Sequence, residues 1–220
     1  MSHLTRIFLG YETAALRGIH DAYDWHQRAW DAFPHLDGAR NTARGDDAPR
    51  HFLTRLDDKD GGYQLLILSP TEPQRPSWCP DHAENWQTKP IADSFLEHPR
   101  YRFHLRANPT KKVTPKGPDG RRQGQGKRVA VRDFAELGLW LERKAAASGF
   151  AIEPGTLRKD ELGLTHFTKE KERRLGTLNL VDFAGALRVT DRAGFKAAFE
   201  NGVGSAKAFG CGLLVLQPLQ

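Results

Sequence analysis

Two side chains three positions apart, Tyr23 and His26, have residue types and spacing suited to moving protons. On a helix, at 100° per residue, they are neighbours on one edge. Ala22, Trp25, Ala29 and Phe33 form the apolar arc, and Asp24, Gln27, Arg28 and Asp31 the opposite face. The pair lies on the boundary between them. Histidine is the side chain that exchanges its proton around neutral pH, and at such a rim it keeps contact with water. Tyr23 could orient the imidazole or donate to a phosphate oxygen. The alternative is that both rings only pack and stack.

A second chemical feature is Gly202-x-Gly204-x-x-Lys207 with Gly210 and Gly212 behind it. It lacks the third glycine of a dinucleotide fingerprint and the Gly-Lys-Ser/Thr of a P-loop, and it follows a helical pattern where those motifs follow a strand. Two readings stay open. Bare amides beside Lys207 could approach a phosphate closely, or the glycines serve positive φ angles and tight packing before a last strand.

Charge is concentrated. Lys plus Arg number 33 and Asp plus Glu 27, a net +6. Between positions 102 and 132 ten cations stand against Asp119 alone, so this segment carries +9 and all the rest −3. Within it Arg106 ends an alternating stretch, and Lys111, Lys112, Arg121, Arg122, Lys127 and Arg128 sit among Gly, Pro and Gln. That composition reads either as a solvated linker or as a mobile arm for a phosphate backbone. A second cluster, Lys169, Lys171, Arg173 and Arg174, is interleaved with Glu170 and Glu172.

Metal chemistry finds little support. Cys79 and His82 have ligand spacing, but no second pair completes four donors, and there is no H-x-H, H-E-x-x-H or acidic cluster. No metal and no cofactor are expected. With 39% hydrophobic residues, five Trp and twelve Phe, the chain has the apolar material to fold. No run reaches the roughly 18 residues of a membrane span, and the first ten residues lack the pattern of a secretory signal. A cytoplasmic protein with two free thiols, Cys79 and Cys211, is the expectation.

The elements that must position these groups follow from periodicity and breakers. Residues 4–9 read as a strand. A helix follows over 20–33, with Asp21 as N-cap and Pro34 closing it. Strands 51–56 and 63–68 are joined by turn chemistry at 57–62. A Pro-rich stretch, 70–90, and a short helix at 91–96 lead to a strand at 101–106. Asp133 caps a helix that ends at Gly149, with Phe134, Leu137, Trp140 and Leu141 on one face. Strands 162–168, 177–183 and 186–189 follow, the last two joined through Ala184-Gly185, then a helix over 191–200 and a strand at 213–216. Both halves carry the split βαβ pattern. The fold class is therefore α+β: tandem ferredoxin-like (RRM-like) domains, each a mainly antiparallel sheet with helices on one face. The boundaries are an N-terminal domain over 1–110 with the His26 helix, a basic connector over 111–128, and a C-terminal domain over 129–220 with the glycine-rich loop. Such a fold hosts many functions, although open four-stranded sheets of this kind are frequent RNA platforms.

Four strings, at 21–34, 101–109, 139–144 and 202–214, together resemble CasE, the CRISPR repeat-processing endoribonuclease family of type I-E Cascade. They stand in the family's order and span nearly the whole chain. His104 occupies an arginine-like position of that pattern. The resemblance implies tandem ferredoxin-like domains and metal-free cleavage of the repeat stem-loop in precursor CRISPR RNA. It makes Tyr23 and His26 the catalytic pair and other Cascade subunits the partners, with no membrane. Some members carry a basic residue one to two turns after the histidine, where this chain has Asp31; a cation for the phosphorane would then come from Arg28 or Lys207. The resemblance also assigns a basic hairpin of the second domain to the stem, which selects Lys169, Lys171, Arg173 and Arg174. Two other classes remain: a non-catalytic RNA-binding subunit of a ribonucleoprotein complex, and a metal-dependent nuclease using scattered histidines.

Overall fold

The computed structural model describes residues 1–40, 51–115, 124–169 and 174–220. Arg121, Arg122, Lys171 and Arg173, expected as phosphate contacts, lie outside the described residues. Strand β1 (Ser2–Gly10) leads into helices α1 (Tyr11–Leu16) and α2 (Ala22–Ala29), then the hairpin β2 (Leu53–Lys59) and β3 (Gly62–Ser69), and finally β4 (Trp86–Ile91). The sheet is antiparallel in the order β2-β3-β1-β4, the ferredoxin-like order. The irregular stretch after β3 takes the place of a second helix and buries Trp78. Alternation along the strands sends Ile7, Leu9, Leu65 and Ile67 toward α2, where they close on Trp25, Ala29, Phe33 and Phe52.

The second sheet repeats that order. Strand β5 (Arg100–Ala107) is followed by a short hairpin, β6 (Thr110–Val113) with β7 (Lys127–Ala130), and helix α3 (Phe134–Ala147). Then come β8 (Phe150–Ile152), β9 (Arg158–Lys169), β10 (Arg174–Val189), α4 (Arg192–Asn201) and β11 (Leu214–Pro218). The strands stand as β11-β5-β10-β8, with β9 also on β10. The large core under this sheet includes Tyr101, Phe103, Leu137, Trp140, Phe183 and Phe195, and it takes in Leu53 and Leu68 from the first sheet. Two ferredoxin-like units thus share apolar contacts, and among the described residues no helix is long and apolar enough to cross a membrane.

Several sequence expectations change. The strand expected to end the first domain, β5, pairs with β10 and β11 and opens the second, so the boundary between the domains falls before β5 and the segment 111–128 does not separate them. The first sheet takes its last strand from β4 instead, an edge strand, the place in a sheet where a proline such as Pro90 is tolerated. Residues 177–183 and 186–189 form one strand, β10, since Ala184-Gly185 makes no turn. Gly185 is there for clearance: a Cβ would stand 3.1 Å from the Thr156 carbonyl oxygen and 3.3 Å from the Phe103 ring. Phe134 leaves the apolar face of α3 and is 61% exposed, with the Lys159 ammonium 3.5 Å from its ring centre. Finally, the helix expected over 20–33, α2, stops at Ala29, and 3-10 turns at Trp30–Ala32 and Pro34–Ala39 carry the chain onward.

Candidate active site

Helix α2 is fixed at its start by a reciprocal cap. The Asp21 carboxylate accepts from the amides of Tyr23 (2.8 Å) and Asp24 (2.9 Å), while Asp24 accepts from those of His20 (2.9 Å) and Asp21 (3.3 Å). Trp25 and Ala29 are buried beneath the helix, and this leaves Tyr23 and His26 half-buried at its border, where their spacing predicts them. The His26 ring lies 5.3 Å from Phe52 and 6.2 Å from Trp30, centre to centre. These walls fix the imidazole plane.

Tyr23 faces a residue from the other domain. Its ring centre is 5.9 Å from that of Phe209, which belongs to the short 3-10 turn Lys207–Phe209 of the glycine-rich loop. That turn packs against both α2 and β2. Tertiary structure therefore joins two features that the sequence shows separately: the Tyr23–His26 edge and the Lys207 turn.

The glycines let the loop pass between the domains. Gly202 adopts φ 78° and ψ 156°, and a Cβ there would meet Leu53 Cδ2 at 2.9 Å and the Gly212 carbonyl oxygen at 3.1 Å. Gly204 lies against Trp140 and Gly210 against the backbone of β2. The Val203 amide donates to the Gly212 carbonyl and the Gly212 amide to the Arg106 carbonyl, each at 2.8 Å. Those amides are spent on the fold, so at Gly202, Gly204, Gly210 and Gly212 the contacts describe packing.

The expected cations have different surroundings. Arg28 lies 200° around α2 from His26 and donates to the Arg17 carbonyl at 2.9 Å, away from the Tyr23–His26 edge. Arg106 is engaged internally. Its guanidinium holds Asp182 through two bonds of 2.9 and 2.8 Å, reaches Asp57 at 3.1 Å and donates to the Leu56 carbonyl. Burial alone would pull its pKa down, but the Asp182 hydrogen bond and the charges of Asp182 and Asp57 raise it above the usual arginine value. Arg106 therefore ties domains together where the sequence suggested a phosphate contact. Lys111 crosses to Glu136 at 2.6 Å on the exposed surface. Lys112 stands opposite Arg128 across the β6–β7 ladder, with Lys127 nearby and all three exposed. Lys169 and Arg174 pair across the far end of the β9–β10 ladder.

One cation escaped the sequence reading. Arg40 donates to Asp31 at 2.9 Å and to the Gln27 carbonyl at 2.6 Å, so it holds the end of α2 just past His26. The signal was a basic residue directly after the Pro34 and Gly38 turns, which return the chain to the helix it left. Cys79 is buried in the first core while His82 is exposed, and among the described residues no three His, Cys, Asp or Glu side chains gather as a metal site.

Comparison with known proteins places this geometry. A family model described as CRISPR associated protein matches residues 2–218. The chain is 32% identical over 162 residues to the CRISPR-associated endoribonuclease Cse3 of Thermus thermophilus, covering 70% of this chain and 72% of that protein. It is 29% identical over 205 residues to the CRISPR system Cascade subunit CasE of Escherichia coli K12, covering 90% and 93%. The solved structure of Thermus thermophilus Cse3 bound to an RNA representing a pre-cleavage complex superposes with a TM-score of 0.72 at 30% identity over 99% of both chains. With a family model matched over nearly the whole chain and a relative 32% identical over more than two thirds of it, this chain belongs to the CasE family of CRISPR-associated proteins.

Proposed function

We propose that this chain is the endoribonuclease that cuts CRISPR repeat RNA at its stem-loop, working in the cytoplasm beside other Cascade subunits and retaining the product as guide RNA. Membership of a family that includes an endoribonuclease, a Cascade subunit and an RNA-bound structure supports the activity and the partners. The observation that carries the site assignment is the meeting of the Tyr23–His26 edge with the turn that bears Lys207 and Phe209.

RNA brings its own nucleophile. Loss of the proton from the 2′-OH lets that oxygen attack the scissile phosphorus, the bond to the 5′-oxygen breaks, and the leaving oxygen takes up a proton. The products are a 2′,3′-cyclic phosphate and a 5′-OH, with no metal in the balance. His26 serves one of the two proton transfers, a contribution of roughly 10² to 10⁴-fold. Tyr23, held against Phe209, orients the phosphate or the imidazole. Lys207 supplies positive charge to the phosphorane. Grip on the stem comes from Lys112, Lys127 and Arg128 on one hairpin and from the Lys169 to Arg174 end of the other, since A-form RNA is recognised by shape and phosphates.

The test is a repeat hairpin carrying one 2′-deoxy substitution at the scissile nucleotide, incubated in EDTA. The modified RNA survives while the parent RNA is cut. His26→Ala binds the hairpin and does not cut it. Cleavage of the deoxy substrate would overturn the nucleophile, and full activity of His26→Ala would overturn the site.

A further inference from the structure

Four charged side chains close a ring across the domain boundary. Arg55 and Asp57 come from β2 of the first domain, Arg106 and Asp182 from β5 and β10 of the second. Arg55 Nε lies 2.9 Å from Asp57, Asp57 lies 3.1 Å from Arg106 Nη2, Arg106 Nη2 lies 2.8 Å from Asp182, and Asp182 lies 3.2 Å from Arg55 Nη2. The ring is electrically neutral, alternates in sign and is mostly buried, with side-chain exposures of 9–20%. A closed ring of this kind is stringent about geometry: removing one member leaves a buried charge uncompensated, so its value lies in fixing register.

What it registers is the active site. Arg106 also accepts the Gly212 amide at its carbonyl, and Gly212 in turn accepts the Val203 amide, so β5 holds the end of the glycine-rich loop, and that end clasps its start. The Arg106 side chain meanwhile donates to the Leu56 carbonyl of β2, the strand on which the Lys207–Phe209 turn rests. Phe209 then touches Tyr23. One residue is thus bonded both to the loop that carries the Lys207–Phe209 turn and to the strand on which that turn rests.

We infer that Arg106, closed in its ring with Asp57, Asp182 and Arg55, is a positioning residue that sets the Lys207–Phe209 turn against Tyr23 and His26. This rests on the active-site reading above. Its role is geometric: a lysine keeps the charge but not the planar fork that engages Asp182 twice and Asp57 at once.

The test separates position from grip. Asp57→Asn removes the cross-domain ion pair that Arg106 makes and leaves the Arg106–Asp182 and Arg55–Asp182 pairs in place, while Arg106→Lys keeps charge and loses the fork. At saturating repeat RNA and well below the melting temperature, both variants should cut on the order of 10 to 100-fold more slowly. Their RNA dissociation constants should stay within about threefold of the parent, because no grip contact is altered. Joining the two substitutions should add little, as members of one network are not additive. A rate unchanged in Asp57→Asn, a rate restored by Arg106→Lys, or a loss carried wholly by RNA affinity would each overturn the inference. An independent readout needs no cleavage. With tyrosines isotopically labelled, the ring signal of Tyr23, which feels the neighbouring Phe209 ring, should shift in RNA-free Asp57→Asn. A stationary signal overturns the inference even if the parent cuts nothing, whereas an active His26→Ala removes only the site assignment.

Discussion

Replacing Gly202 with alanine is the sharpest single perturbation of the loop that joins the domains. Its backbone, φ 78° and ψ 156°, lies in a region that only glycine occupies without strain, at a cost of about 1–3 kcal/mol for any other residue. The added Cβ would also stand 2.9 Å from Leu53 Cδ2 and 3.1 Å from the Gly212 carbonyl, and overpacking of this sort costs about 1–3 kcal/mol more. Together the penalty is roughly 2–6 kcal/mol, which, at about 2–4 °C per kcal/mol for a chain this size, lowers the melting temperature by roughly 4–24 °C. Controls isolate the two causes. Gly155 has φ 75° with nothing within 4 Å of a Cβ, so Gly155→Ala should cost only the conformational part, about 1–2 kcal/mol. Gly210, with φ 77° and ψ 17°, sits in the left-handed helical region that asparagine tolerates, so Gly210→Asn should avoid the backbone strain and lose only what burying its amide against β2 costs, about 1–3 kcal/mol. Gly202→Asn should melt as low as Gly202→Ala. The assay is a thermal melt followed by circular dichroism on all five proteins. Should Gly202→Ala melt no lower than Gly155→Ala, the claim that close approach dictates this glycine is wrong.

Other expectations follow from the same contacts. Asp182 is pushed upward in pKa by burial but pulled further down by the Arg106 hydrogen bond and the charges of Arg55 and Arg106, so its net value lies below the usual carboxylate range. Its contribution is complete above about pH 4 and is lost as pH falls through the lower folded value, so the urea midpoint should fall less steeply with acid in Asp182→Asn than in the parent. The Cys211 thiol, fully buried, is pushed up to about 12, and burial likewise raises Cys79; a thiol reagent at neutral pH should label neither until denaturant is added. Phe134→Ala should cost about 0.5–1 kcal/mol through its exposed cation contact, whereas Leu137→Ala, one turn on and fully buried, should cost about 2–5 kcal/mol by urea titration. If about five phosphates are neutralised, log K for repeat RNA should fall against log salt with a slope of roughly −3.5 to −4.5, and a slope near zero in filter binding would remove the electrostatic account.

Local chemistry made much of this protein legible in one dimension. The Asp21 and Asp133 caps, the Asp60-Gly61 turn, the alternation of β5 and the placing of Tyr23 and His26 on a helix border are set within a few residues, where sterics and hydrogen bonding act without knowledge of the rest. The same holds for the repeated βαβ pattern, from which the tandem ferredoxin-like order follows.

Pairing was another matter. A strand does not announce its partner, so β5 reads equally well as the end of one sheet or the start of the next, and only the ladders to β10 and β11 assign it. Strand β4 hid in Pro-rich, exposed sequence because an edge strand needs neither burial on both faces nor every amide. Charge, too, carries no address. Arg106 and Lys112 look alike as members of one basic segment, yet carboxylates from distant strands surround the first, while the second faces Arg128. Residue types and short spacings therefore determined the helix that carries Tyr23 and His26, and the glycines. The fold alone decided which cations turn inward to lock the domains and brought the loop to the helix, because long-range contacts depend on how the chain closes on itself.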